Sequence, residues 1–144
     1  MRKFSYKTIF FISAILLGFV SISCSNGAES QTTEQSAKTY SNVSVSDLNG
    51  VVEGGGDAII LDVRTPSEVS EGYVKNAQNL DINGSTFKQQ AEQLDKSKTV
   101  YVYCRSGHRS QIASNKLIEM GFSDVRNVEG GFLAWADKGY QIIK

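Results

Sequence analysis

The chain has 144 residues, 15 acidic and 15 basic side chains, a formal net charge of zero, one histidine and two cysteines. A balanced charge with no basic block beyond the N-terminal segment argues against nucleic acid as a partner, because phosphates call for a cationic face. Nothing in the composition calls for a metal or a cofactor, no internal repeat is visible, and nothing in the pattern demands more than a monomer.

Arg2, Lys3 and Lys7 precede an apolar segment from Ile9 to Val20. That run is long for a surface strand and shorter than the about 20 apolar residues of a membrane span, so it reads as a bacterial-type secretory signal. Ser21-Ile22-Ser23-Cys24 follows and resembles the lipoprotein cleavage box. The resemblance implies that Cys24 becomes the lipidated first residue of an exported protein, held at the cell envelope through that lipid, facing the periplasm or at the outer membrane. The alternatives are an ordinary cleaved signal that releases the protein to the periplasm and an uncleaved anchor from Thr8 to about Ser23; each also exports the domain. Ser25 to Ala37 carries no large apolar residue and cannot bury enough surface to offset the entropy of ordering. The expected organisation is a signal peptide over residues 1–23, a disordered tether over 24–37 and one folded domain over 38–144. Once Cys24 is lipidated or removed, Cys104 is the only thiol left and no intrachain disulfide can form.

Within the domain, Tyr40 to Val43 is expected as a short edge strand, and Ser46 as the N-cap of a helix through Val52 that stops at Gly54-Gly55-Gly56. Ala58 to Val63 is a largely apolar run bounded by turn signals, the pattern of a central strand covered on both faces. Thr65 caps a short helix with Pro66 at its first position, ending near Gly72. Ala77 to Ile82 reads as a strand, and Ser85 to Leu94 as a helix with Phe87, Ala91 and Leu94 on one side. Thr99 to Tyr103 is β-branched and aromatic, as a buried strand should be, and Gln111 to Met120 repeats its apolar residues at helical spacing. A short strand at Asp124 to Val128 and a helix from Gly131 to about Lys138 complete the order. Strands alternating with helices predict an α/β fold: a central, mainly parallel sheet of about five strands with helices on both faces. In such sheets the site lies beyond the carboxyl ends of the strands.

Cys104 lies at such an end, heading the stretch Cys104-Arg105-Ser106-Gly107-His108-Arg109-Ser110. A thiol between a strand and a helix meets the positive end of the helix dipole and amides left unpaired by the turn, and both favour the thiolate. Arg105 and Arg109 add fixed charge, and Ser106 and Gly107 are small enough to let the backbone curl into a bowl that holds an anion. Cys104 is therefore the candidate nucleophile, with Arg105, Ser106, Gly107, His108 and Arg109 as candidate substrate-binding residues. A loop that aims its N–H groups inward splays its side chains outward, which puts His108 on the rim rather than in the role of general base. The plain alternative is a buried, inert cysteine ending a strand. Two arginines, a glycine and two serines in the next six residues argue against it.

This loop, with Leu61-Asp62-Val63-Arg64 upstream and Glu129-Gly130-Gly131-Phe132-Leu133-Ala134-Trp135 downstream, resembles the single-domain rhodanese family of sulfurtransferases from about Lys38 to Lys144. The resemblance implies the rhodanese-like fold, with Asp62, Arg64 and Glu129 bracing the cysteine loop. Buried charges need partners, so Arg64 is expected to pair with Glu68 or Glu129, and Asp62 to accept from loop backbone or an arginine. Family members often carry a His and a Gly where Tyr73 and Asn76 stand here. Phe132, Trp135 and Tyr140 read as core, with a place beside the pocket for Phe132 or Trp135 as the alternative.

Chemically, the resemblance implies that a Cys104 thiolate takes the outer sulfur of a small anionic donor such as thiosulfate, and that sulfite leaves. The resulting persulfide passes its sulfur to a thiol or to cyanide. A second reading is a sulfur-relay or binding module of the cell envelope that depends on a protein partner and turns thiosulfate over slowly. A cysteine-dependent phosphatase is the third. Its pattern is Cys-x5-Arg, whereas four residues separate Cys104 from Arg109 here, and no acid for the leaving group is evident.

Overall fold

The computed structural model describes residues 39–144, and the expectations for the signal peptide, Cys24 and the tether lie outside them. In chain order the first elements are β1 (Ser41–Val43), α1 (Val45–Gly54), β2 (Ile59–Asp62), α2 (Pro66–Ser70), β3 (Tyr73–Val74), β4 (Gln78–Asn79) and α3 (Phe87–Ala91). They are followed by β5 (Thr99–Tyr103), α4 (His108–Glu119), β6 (Asp124–Val128), α5 (Gly131–Asp137) and β7 (Ile142–Ile143). Five strands form one parallel sheet in the order β1-β6-β5-β2-β4, as the alternation of strands and helices predicts.

The two-residue period of a strand divides the core. Ile59, Leu61 and Val63 point to the face that α3 and α4 cover, where they meet Val100, Val102, Val125, Phe87, Ala113 and Leu117. Ile60, Tyr101, Tyr103 and Val128 point to the other face, against Val45, Leu48 and Val52 of α1 and Trp135 of α5. Each fully buried aliphatic side chain contributes about 1.5–3 kcal/mol relative to exposure, so the two clusters, rather than helix propensity, hold these short elements in place. All four residues of β2 are buried, as the apolar run leading to Asp62 predicts.

Several boundaries differ from the sequence reading. Helix α1 is capped by Ser44, not Ser46: the Ser44 hydroxyl oxygen accepts from the Asp47 amide at 3.2 Å and the Asp47 carboxylate accepts from the Ser44 amide at 2.8 Å. That reciprocal box outcompetes a lone serine two residues later, and Ser46 instead meets the Tyr140 hydroxyl at 3.1 Å. Strand β4 is two residues rather than six, although amides of Leu80 and Ile82 still donate to the carbonyls of Asp62 and Val63 at 2.9 and 3.4 Å. Helix α3 ends at Ala91, and the chain to Leu94 continues in tighter turns, with Gln93 and Leu94 donating three residues back at 3.1 Å. The antiparallel ribbon of β3 and β7 was not predicted, since two-residue strands carry no period. Helix α2, with its Thr65 cap and Pro66 start, falls where the sequence puts it.

Candidate active site

Strand β5 carries the chain outward to Cys104, and α4 begins at His108, three residues earlier than the periodicity predicts. The linker is therefore only Arg105, Ser106 and Gly107, and His108, Arg109 and Ser110 form the first helical turn. Gly107 makes this possible at φ +108°, a left-handed conformation that side-chain-bearing residues rarely adopt. The turn folds back so that the Gly107 amide donates to Cys104 Sγ at 3.1 Å. Cys104 is only 1 % exposed, at the floor of the loop rather than on its rim. Burial pushes the thiol up, but the Ser110 hydroxyl and amide, with the Gly107 and Ser106 amides, outweigh it, and the thiol lies below its ordinary value. The Ser110 hydroxyl, which also reaches the Gly107 carbonyl at 2.8 Å, is a rotor that serves either acceptor.

The amides face the sulfur because the carbonyls are held on the opposite side. Phe132 N–H donates to the Cys104 carbonyl at 2.8 Å and Leu133 N–H donates to the Arg105 carbonyl at 3.0 Å. In a planar trans peptide the N–H points away from the C=O. Tying down the Arg105 carbonyl therefore turns the Ser106 amide toward Sγ. The first amides of α5 can come this close only because Gly131 has no side chain: a Cβ there would run into the Cys104 carbonyl oxygen and sit 2.9 Å from the carbonyl carbon of Arg105. Glu129, expected to brace the loop, has an exposed side chain with no hydrogen bond or ion pair among the described residues, and its amide donates to the Val43 carbonyl at 2.9 Å. The bracing contacts come from the residues that follow it.

The charged side chains pair differently from expectation. Arg64, 3 % exposed, grips Asp62 rather than Glu68 or Glu129: Nη2 lies 2.6 Å from Oδ2, and Nε lies 3.0 Å from both carboxylate oxygens. Its remaining donors reach the carbonyls of Gly72 at 2.8 Å and Glu68 at 3.3 Å, and its guanidinium stacks 4.0 Å from the centre of the Phe132 ring. One buried cation thus ties the end of β2 to α2, to the turn that follows it and to α5. Tyr103 adjoins the same pair and takes the Val74 amide on its hydroxyl at 3.2 Å. Burial first, and then Asp62, push its phenol well above the ordinary value. Glu68 goes to Arg109 in a bidentate pair at 2.6 and 2.7 Å, while its Oε2 also accepts the Thr65 amide that starts α2. Chiefly because of the Arg109 guanidinium, its carboxyl is lowered from 4.5 to about 2. Arg105 and His108 project into solvent.

Beside the loop lies a cavity of about 160 Å³ lined by Arg64, Glu68, Glu71, Arg105, Phe132 and Leu133. Phe132 is therefore a wall of the cavity, and Trp135 is core at 1 % exposure, its indole N–H donating to the Gln141 carbonyl at 3.0 Å. Asn76 has a left-handed backbone at φ +64°, which asparagine tolerates better than most residues. Sequence reasoning missed Glu68 as the partner of Arg109, Tyr103 as an acceptor and Gly131 as the contact that shapes the loop. The spacing Thr65-x-x-Glu68 was a readable capping signal; the other two depend on elements brought together only by the fold. Among the described residues no group of His, Cys, Asp and Glu could hold a metal ion.

Residues 44–138 match the rhodanese-like domain. A sulfurtransferase of Allochromatium vinosum is 34% identical over 87 residues, which cover 60% of this chain and 79% of that protein. A thiosulfate sulfurtransferase of Coxiella burnetii is 37% identical over 79 residues, covering 55% of this chain and 72% of that protein. Among solved structures, a rhodanese-related protein from Thermoplasma volcanium superposes with a TM-score of 0.63 at 31% identity, covering 72% of this chain and 98% of that one.

Proposed function

Because the chain belongs to the rhodanese-like domain family, we propose that it is a sulfurtransferase that moves a sulfane sulfur from thiosulfate or a related donor to a thiol or cyanide through a persulfide on Cys104. The observation that carries this reading is the Gly107 amide 3.1 Å from Sγ, in a turn whose other amides also lower the thiol. A thiolate held there attacks the outer sulfur of the donor. The bond between the two donor sulfurs breaks, and sulfite leaves with the electron pair. Arg105 and the loop amides of Ser106, Gly107, His108 and Arg109 are the groups proposed to receive the anionic donor. They act by charge and direction rather than by proton transfer, so no general base is required. In the second half reaction the acceptor takes the terminal sulfur and the Cys104 thiolate returns to the same amides.

A phosphatase reading is disfavoured by two features. The Arg109 guanidinium commits its end-on pair of terminal nitrogens to Glu68, and four rather than five residues separate it from Cys104. On the sequence reading above, the domain works outside the cytoplasm, tethered to the cell envelope through lipid on Cys24. Metabolic labelling with a fatty acid tests that part; an unlabelled Cys24 leaves a protein released to the periplasm. The sulfur chemistry is tested by mass spectrometry after thiosulfate treatment, beside Cys104→Ser. The expected result is a gain of one sulfur atom, reversed by thiol reductants and absent from the serine variant. No gain with any sulfane donor would defeat it.

A further inference from the structure

The cavity beside the cysteine loop has four charged residues in its wall, Arg64, Glu68, Glu71 and Arg105. Two of them are neutralised by partners: Arg64 by Asp62 and Glu68 by Arg109, each at 2.6 Å. Glu71 and Arg105 are exposed and have no ion-pair partner among the described residues. The space therefore presents one carboxylate and one guanidinium without ion-pair partners, together with the apolar surfaces of Phe132 and Leu133. Its volume of about 160 Å³ is well below the about 300–1,000 Å³ of sites for drug-sized ligands. At about 30 Å³ per water it equals roughly five waters, the room an amino acid takes. The cavity shares a wall with the cysteine loop, since Arg105, the residue after Cys104, lines it and has its carbonyl fixed by the Leu133 amide at 3.0 Å.

Resting on the sulfurtransferase reading, we propose that the acceptor is a zwitterionic aminothiol of amino-acid size, its ammonium group facing Glu71 and its carboxylate facing Arg105. A purely anionic thiol meets the Glu71 carboxylate uncompensated, and a purely cationic one meets Arg105 in the same way; only a ligand carrying both charges answers both walls. The transfer step balances without an outside oxidant. The acceptor thiol releases its proton to solvent, and its sulfur attacks the outer sulfur of Cys104–S–SH. A new S–S bond forms as the bond to Cys104 Sγ breaks. Cys104 leaves as the thiolate, and the acceptor departs as its persulfide.

The full-length protein is loaded with thiosulfate, and the persulfide is read by mass. Its decay is then followed with L-cysteine, cysteamine, 3-mercaptopropionate and 2-mercaptoethanol, with rates corrected to equal thiolate concentration. Exposed ion pairs are each worth about threefold, so cysteine should exceed 2-mercaptoethanol by about tenfold, mostly through KM. Glu71→Gln should remove about threefold of that ratio, and Glu71→Lys should put 3-mercaptopropionate ahead of cysteamine. Persulfide formation followed by equal rates across the four thiols, or an order unchanged by Glu71→Lys, overturns the acceptor assignment and leaves the sulfurtransferase reading standing. Failure to form the persulfide overturns both.

Discussion

Replacing Gly131 by alanine puts a methyl group where the cysteine loop already has its carbonyls. At φ +55° the residue is in the left-handed region, and the added Cβ would run into the Cys104 carbonyl oxygen and lie 2.9 Å from the carbonyl carbon and oxygen of Arg105. The left-handed conformation alone costs an alanine about 1 kcal/mol. Moving packed backbone to make room adds about 1–3 kcal/mol, so the expected loss of stability is about 2–4 kcal/mol by that sum. Gly139 supplies the matched control: its φ is +69° and nothing lies within 4 Å of where a Cβ would stand, so Gly139→Ala should cost about 1 kcal/mol. The difference between the two variants isolates the contact. Urea unfolding followed by fluorescence of Trp135, the only tryptophan and buried on α5, measures it. The same displacement swings the Ser106 amide off Sγ, so the thiolate absorbance of Gly131→Ala should titrate at higher pH than in the parent, while that of Gly139→Ala should not move. If Gly131→Ala is no less stable than Gly139→Ala and its thiol titrates like the parent's, the account of how α5 shapes the loop is wrong.

Ser110→Ala removes the largest contribution that offsets burial at Cys104, so the pH midpoint for alkylation by iodoacetamide should rise. Glu68 has a folded pKa of about 2 against 4.5; because the folded value is the lower, its contribution is complete above pH about 4.5 and disappears as pH falls toward 2. Thermal melts of Glu68→Gln should therefore show a lower Tm than the parent near neutrality and a flatter loss between those two pH values. Asp62→Asn leaves the buried Arg64 guanidinium without its counter-charge and should cost about 3–5 kcal/mol in chemical unfolding. The Asp62→Asn, Arg64→Met double variant should recover part of that loss, since no uncompensated charge remains.

What could be read from the chain was whatever a short window contains. The largely apolar run of β2, the alternation of helices and strands and the Thr65-Pro66 start of α2 each depend on neighbours in sequence, and each is found in place. The misplacements arise where a second partner decides. Ser44 displaces Ser46 as a cap because Asp47 answers it, and α4 starts at His108 because Gly107 turns the chain back onto the sulfur. The pairings at the site are further from sequence still. Glu68 and Arg109 are 41 residues apart, and nothing local distinguishes Glu68 from Glu129 as a partner for an arginine.

This changes the electrostatics proposed for the loop. Read in isolation, two arginines within five residues after Cys104 make a strongly cationic bowl. In the fold, Glu68 offsets the charge of Arg109 and Arg105 is exposed, so the ionised sulfur depends mainly on the Ser110 hydroxyl and the directed amides. Such dipoles keep their strength in a site closed to water, whereas an exposed guanidinium is screened by salt. The thiol titration of the parent protein should therefore move little as ionic strength is raised. A large upward drift with salt would return the arginines to the leading role.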